Sequence, residues 1–365
     1  MALDDRTEAW ARLALVSLPA AAILPLLRAF DTPQGVLGAS HAALAAVSSK
    51  AMASRVLAAP DADAMARTRA WLSQPGHELI AWDDPDYPPA LLQTQDAPPV
   101  LFYIGLRAVL AQPAVAIVGS RHATPQGLEN ARNFATALSR AGLAIVSGLA
   151  LGIDGAAHEG ALEGSGSTIA CIGTGPDRVY PAAHRDLAHR IAKAGGIVSE
   201  FIPGTPPLRY NFPRRNRLIS GLSKGVLVVE ATLQSGSLIT ARLAGDQGRE
   251  VLAIPGSIHS PFSRGCHRLI RDGAKLVETA QDVLVELDIA GIAPTASTVD
   301  GAGAPLSTPH ASIVAALGGD PCGVDTLVER TRLDVDALGA ALVELELEGL
   351  VASLPGGRWQ RVTGG

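Results

Sequence analysis

Aromatic side chains are scarce. Phe, Trp and Tyr make up 4% of 365 residues, against a hydrophobic fraction of 47%, so Ala, Val, Leu and Ile must fill the core. The length leaves room for two or three domains. Cysteine is nearly absent: Cys171, Cys266 and Cys322 are unclustered, odd in number and without metal-ligand spacing. Cys171 sits in an apolar run and reads as a small core residue. No long uninterrupted apolar run occurs; Leu13 to Leu27 is broken by Ser17, Pro19 and Pro25, which argues against a membrane span. The first residues include Asp4 and Asp5 where a secretory signal would be basic. Repeats and low-complexity tracts are missing too. These absences predict a soluble cytoplasmic protein with no membrane association and no cofactor.

The most informative absence is local. Between Glu200 and Glu230 there is no carboxylate, although the formal net charge is −5. Arg209, Arg214, Arg215, Arg217 and Lys224 all fall inside this stretch, beside Tyr210 and Phe212. Guanidinium groups suit phosphates and aromatic faces suit unstacked bases. A solvated basic helix start with both rings in the core is the bland alternative. The stretch then runs through Val226-Leu227-Val228-Val229 into Ser235-Gly236-Ser237. A buried strand leading through a Ser/Gly turn into a helix is how α/β sheets build anion sites.

Residues 1–65 are Ala/Leu-rich with a helical pattern, predicting a small domain of the SAM or helix-hairpin-helix kind. Its turn, Leu18-Pro19-Ala20-Ala21-Ala22, lacks the glycine that lets backbone amides approach a phosphate, which favours a packing role. An aromatic, proline-rich bridge from Trp71 to Gly105 includes one extra strand around Pro98–Tyr103.

From there to residue 288, apolar runs alternate with amphipathic helices. Strands are expected at Val115–Val118, Ala144–Val146, Thr168–Ile172, Gly196–Ser199, Val226–Val229 and Val251–Ile254. Helices are expected at Gln126–Ala141, Arg185–Ala194 and Leu238–Gln247. The pattern predicts an α/β domain at 66–288 with a doubly wound, mainly parallel, extended Rossmann-like sheet. Ligands of such sheets bind at the carboxyl ends of the strands. Gly119-Ser120-Arg121, Ser147-Gly148 and Ser235-Gly236-Ser237 gather there, and with Arg214, Arg215 and Arg217 they form a rim suited to a polyanion. Asp154 and His158 stand one helical turn apart; with no nucleophile nearby they read as a helix cap holding a histidine.

A Gly/Ala/Pro/Ser/Thr-rich linker is expected at 289–307. Residues 308–365 show three helices closed by strands Val351–Leu354 and Trp359–Val362, a winged-helix outline. Its third helix, Asp334 to Leu350, has Asp334, Asp336, Glu344, Glu346 and Glu348 but no Lys or Arg. Phosphate would be repelled, so the module reads as a protein-contact domain.

Five motifs occur in one order. They are Ala116-Ile117-Val118-Gly119-Ser120-Arg121, Ser147-Gly148-Leu149-Ala150-Leu151-Gly152-Ile153-Asp154, Asn211-Phe212-Pro213-Arg214-Arg215-Asn216-Arg217, Ser235-Gly236-Ser237-Leu238-Ile239-Thr240-Ala241-Arg242 and Ile254-Pro255-Gly256-Ser257. Together they resemble the DNA-processing protein A family (DprA, also called Smf) over residues 116–278. The resemblance implies sequence-independent binding of single-stranded DNA, protection of incoming strands and loading of the RecA recombinase during natural transformation. It also implies homodimerisation and no catalytic turnover. It places the pocket arginine at Arg121 and the Arg-Asn-Arg element at Arg215-Asn216-Arg217. Where family members often carry a lysine after Tyr-Pro, this chain has Ala182, with Arg185 as the substitute. The dimer and RecA surface falls on His267, Leu269, Ile270 and Leu276. An enzyme of related fold, a nucleoside-monophosphate phosphoribohydrolase, is the alternative, but its catalytic glutamate has no counterpart in Gln234–Thr240.

Overall fold

The computed structural model describes residues 3–164, 167–289, 308–318 and 321–362. Among these, one sheet holds nine strands: β1 His77–Ala81, β2 Val100–Gly105, β3 Ala114–Val118, β4 Ala144–Ser147, β5 Thr168–Cys171, β6 Gly196–Ser199, β7 Gly225–Val228, β8 Glu250–Ala253 and β9 Lys275–Leu276. Their order is β1-β2-β6-β5-β4-β3-β7-β8-β9. All pairings are parallel from β6 to β9 across the sheet, while β1–β2 and β2–β6 are antiparallel. No end of the six expected strands moves by more than one residue.

The sheet is parallel because its central strands are apolar on both faces and need helices on both. Along β3, Ala114, Ala116 and Val118 join one core while Val115 and Ile117 join the other. The first is covered by helices Asn211–Gly221, Ser237–Asp246 and Arg264–Arg271. The second is covered by Pro125–Arg140, Ile153–Glu163 and Ala280–Glu286. Cys171 is fully buried, as expected, and burial pushes its thiol up to about 12.

The N-terminal helices do not stop at residue 65. Helix Ala62–Leu72 crosses that boundary, and Met65 and Trp71 share a core with Leu79, Val100 and Phe102 of β1 and β2. The helical layer therefore caps the antiparallel edge of the sheet, and Trp10 Nε1 donates to Asp83 at 2.9 Å just beyond β1. The linker expected at 289–307 lies outside the described residues except Ile289. Beyond it, helices Thr308–Leu317, Val324–Thr331 and Val335–Leu347 pack with β10 Cys322–Gly323, β11 Val351–Leu354 and β12 Arg358–Arg361. The strand order β10-β12-β11 is antiparallel throughout, giving the winged-helix unit. Among the described residues, no helix is long and apolar enough to cross a membrane.

Candidate functional site

The chain winds from β3 outward through β4, β5 and β6, then crosses back to β7 and β8 on the other side of β3. Loops leaving the carboxyl ends of β3 and β7 therefore part in opposite directions, and a crevice opens between them. A cavity of about 830 Å³ occupies this switch point. Gly119, Ser120 and Arg121 form one wall and Ser235, Gly236 and Ser237 the other. Phe212 and Asn216 enter from helix Asn211–Gly221.

Two exposed cations face the cavity, Arg121 and Arg209. Neither has an ion pair among the described residues. The Arg121 guanidinium lies 5.8 Å from the centre of the Phe212 ring, which lies 5.5 Å from Tyr180 at a tilt of 41°. A cation beside an accessible aromatic pair can hold a phosphate while a base stacks on the ring. Opposite, the Ser235 and Ser237 hydroxyls bond each other at 2.7 Å. A Cβ added at Gly236 would meet nothing within 4 Å, so this turn, at the start of the ten-residue helix Ser237–Asp246, presents bare backbone to the opening.

The floor is rigid, and buried polar groups fix it. Arg215 is 3% exposed; its NH1 donates to Gly148 O at 2.6 Å and also to Cys171 O, tying β4 and β5 to the helix. Asp154 accepts from the N–H groups of Gly148 at 3.0 Å and Ala150 at 3.4 Å, fixing the loop after β4. Burial raises its pKa, against the opposing pull of Arg215. Asp154 does not hold His158, contrary to expectation. The His158 ring is buried behind it and bonds Thr168 Oγ1 at 2.6 Å. Ser120 N–H donates to Glu230 O at 2.8 Å, so that amide ties the loops after β3 and β7 together and is not free for an anion nest.

The structure brings together most but not all of the residues expected at the site. Gly119, Ser120, Arg121, Phe212, Arg215, Asn216 and Ser235–Ser237 line the cavity. Arg215 contributes its charge from beneath, since NH1 is committed to two carbonyls. Arg217 lies outside the cavity lining: its side chain, 12% exposed, pairs with buried Glu200 and, at 3.3 Å, with Asp96. Arg214 also pairs with Glu200, at 3.0 Å. Glu200, just outside the acid-free stretch, clamps the back of the helix that presents Phe212. Arg185 is exposed outside the cavity, while the neighbouring His184 ring is bonded to Leu149 O at 3.0 Å. Of the four surface residues, Leu269 and Ile270 pack against the sheet core, His267 Nε2 lies 2.9 Å from Gly256 O and Leu276 is half exposed. Arg209 and Tyr180 were missed as site residues. Arg209 carried a usable signal, being a cation in the acid-free stretch; Tyr180 carried none, because its ring reaches Phe212 only through the fold.

Fold and site together define a doubly wound α/β protein whose switch-point crevice sets an arginine and an aromatic pair opposite a Ser-Gly-Ser turn. Comparison with known proteins makes this particular. Residues 78–288 match the family model of DNA recombination-mediator protein A, and residues 298–357 match the DprA winged helix domain. Protein Smf of Escherichia coli is 46% identical over 293 residues, covering 79% of this chain and 78% of the relative. The DNA processing protein DprA of Streptococcus pneumoniae is 50% identical over 205 residues, covering 56% of this chain and 72% of the relative. The X-ray structure of the Streptococcus pneumoniae protein superposes with a TM-score of 0.69 at 39% identity, covering 78% of this chain and 99% of that one. A Helicobacter pylori DNA processing protein A structure, described by its single-stranded DNA binding mode, gives 0.53 at 32% identity, covering 57% and 95%. The chain belongs to the DNA recombination-mediator protein A (DprA/Smf) family.

Proposed function

We propose that this chain binds single-stranded DNA in the switch-point crevice without reading its sequence. The observation that carries the proposal is Arg121 beside the Phe212–Tyr180 ring pair, facing the open Gly236 turn in one cavity. A duplex keeps its base faces covered, so an exposed ring is useful only to an unstacked strand. Phosphate and stacking contacts carry no base-edge information. The Helicobacter pylori relative's single-stranded DNA binding supports the same use here.

On this reading the chain acts in DNA processing during natural transformation, shielding incoming strands and loading a RecA recombinase onto them in the cytoplasm. It does so as a homodimer whose contact surface includes Leu276. No chemical turnover is assigned. The phosphoribohydrolase alternative needs a carboxylate beside the turn after β7. The acid before that turn, Glu230, is partly buried and accepts from Thr124 N–H at 2.9 Å and Thr124 Oγ1 at 2.6 Å.

A gel-shift series with single-stranded and duplex DNA of equal length, at several salt concentrations, tests the proposal. Tighter binding of the single strand, weakening with salt, is the expected result. Equal or tighter binding of the duplex would overturn it. Release of free base from nucleoside monophosphates would revive the enzyme alternative.

A further inference from the structure

Helix Val335–Leu347 of the winged-helix unit is apolar on both sides. Its inner side packs Leu338, Leu342 and Leu345 against Ile313 and Leu327. At roughly 100° per residue, Ala340, Val343 and Leu347 fall on the opposite side. Val343 is 51% exposed and Leu347 84%. The outer face of a helix in so small a unit is ordinarily polar, and apolar residues spaced three and four apart in water mark a contact surface.

The rim of this stripe is acidic. Glu344 and Glu348 lie along one side of it and Glu346 along the other, Asp336 stands at its N-terminal end, and no Lys or Arg occurs between Arg332 and Arg358. Glu344 is steadied by His310 Nε2 at 3.0 Å. In a nucleic-acid reader the third helix of such a unit enters the major groove. Here phosphates would meet carboxylates and bare methyl groups. A second copy of the same face is disfavoured by the same charges, since two acidic rims would be brought together.

We propose that this face docks a helix of another protein whose contact side is an apolar stripe flanked by Lys or Arg. Leu or Ile side chains of that helix would cover Val343 and Leu347, and its cations would meet Asp336, Glu344 and Glu348. The spacing is that of a helix laid along a helix, read by anchors three and four residues apart. This docking is independent of the crevice and needs no DNA.

The test uses the full chain and, as probe, a synthetic leucine/lysine amphipathic helix of about five turns. Labelled probe is followed by fluorescence anisotropy, and amide exchange maps the contact. The expected result is saturable, salt-weakened binding that slows exchange within Val335–Leu347. Leu347→Asp should weaken it at least tenfold, as should the double change Glu344→Lys with Glu348→Lys. Leu347 is so exposed that the fold should be untouched, which circular dichroism checks. Probe binding that ignores both variants would overturn the proposal. So would self-association abolished by Leu347→Asp, or protection of this helix by single-stranded or duplex DNA.

Discussion

Two side chains show how far a single residue reaches here. Arg121 is exposed, without an ion pair among the described residues and set beside Phe212, which on the proposed reading leaves it free for a ligand. Arg121→Ala should weaken binding of all DNA sequences alike and reduce the salt dependence by about one unit of slope. Anisotropy titrations of several oligonucleotides at graded salt would show it; a loss confined to some sequences would contradict the assigned role. His158 works only inside. Thr168 Oγ1 gives its one proton to Ile145 O at 2.6 Å, so His158 Nδ1 must donate to Thr168, leaving Nε2 bare in the core. Burial pushes its pKa down to about 3 from 6.5. The unfolded chain thus takes up a proton that the folded one refuses, and stability present above pH 6.5 is lost as pH falls towards 3. The wild type should lose about 1.4 kcal/mol per pH unit relative to His158→Gln in that window. Urea unfolding across the pH range measures the difference, and parallel curves would refute the assignment.

At the scale of the element, the loops decide more than the strands. The loop after β4 has Leu149 at φ 58° and Gly152 at φ 77°, and a Cβ at Gly152 would lie 2.3 Å from Ser120 O. That close approach lets the β4 loop pack under the β3 loop and form the crevice wall. At Gly148 a Cβ would lie 2.2 Å from Arg215 NH1 and 2.7 Å from Asp154 Oδ2. Gly148→Ala must therefore displace a buried charge, at a cost of about 3 kcal/mol. Gly236→Ala meets nothing within 4 Å and should change stability by no more than about 0.5 kcal/mol, yet weaken DNA binding by crowding the turn. Chemical denaturation and binding assays on the two variants separate floor from mouth. Equal stability losses in both would break the distinction.

Over the whole molecule, the sheet is extended at both edges, by helices and an antiparallel pair at β1–β2 and by β8–β9 at the other. The β9 edge is where self-association is proposed. Ile270 is a poor probe of it, because its side chain partly packs against the core. Leu276 is 50% exposed, so Leu276→Glu should give a folded monomer. Its affinity should fall for long strands, which span two crevices, and hold for short ones that fill one. Sedimentation and strand-length titrations check both parts. A wild-type monomer at micromolar concentration, with or without DNA, would remove the basis for the assignment.

The order of apolar runs and amphipathic helices determined the doubly wound sheet almost to the residue, because four- and five-residue apolar runs are too short for buried helices and alternate with helices long enough to cover both faces. The acid-free stretch likewise marked the helix that carries Phe212, and the acidic third helix of the C-terminal unit was legible as composition alone. Tertiary structure decided which arginines are available. Arg214, Arg215, Arg217 and Arg121 look alike in sequence, but rotation about one helix turns Arg217 towards Glu200 and buries Arg215 under two carbonyls, and only Arg121 reaches the ring of Phe212. The pairing of His158 with Thr168 in place of Asp154 was hidden for the same reason. Which partner a polar side chain finds depends on groups far away in the chain, and sequence spacing fixes only the near ones.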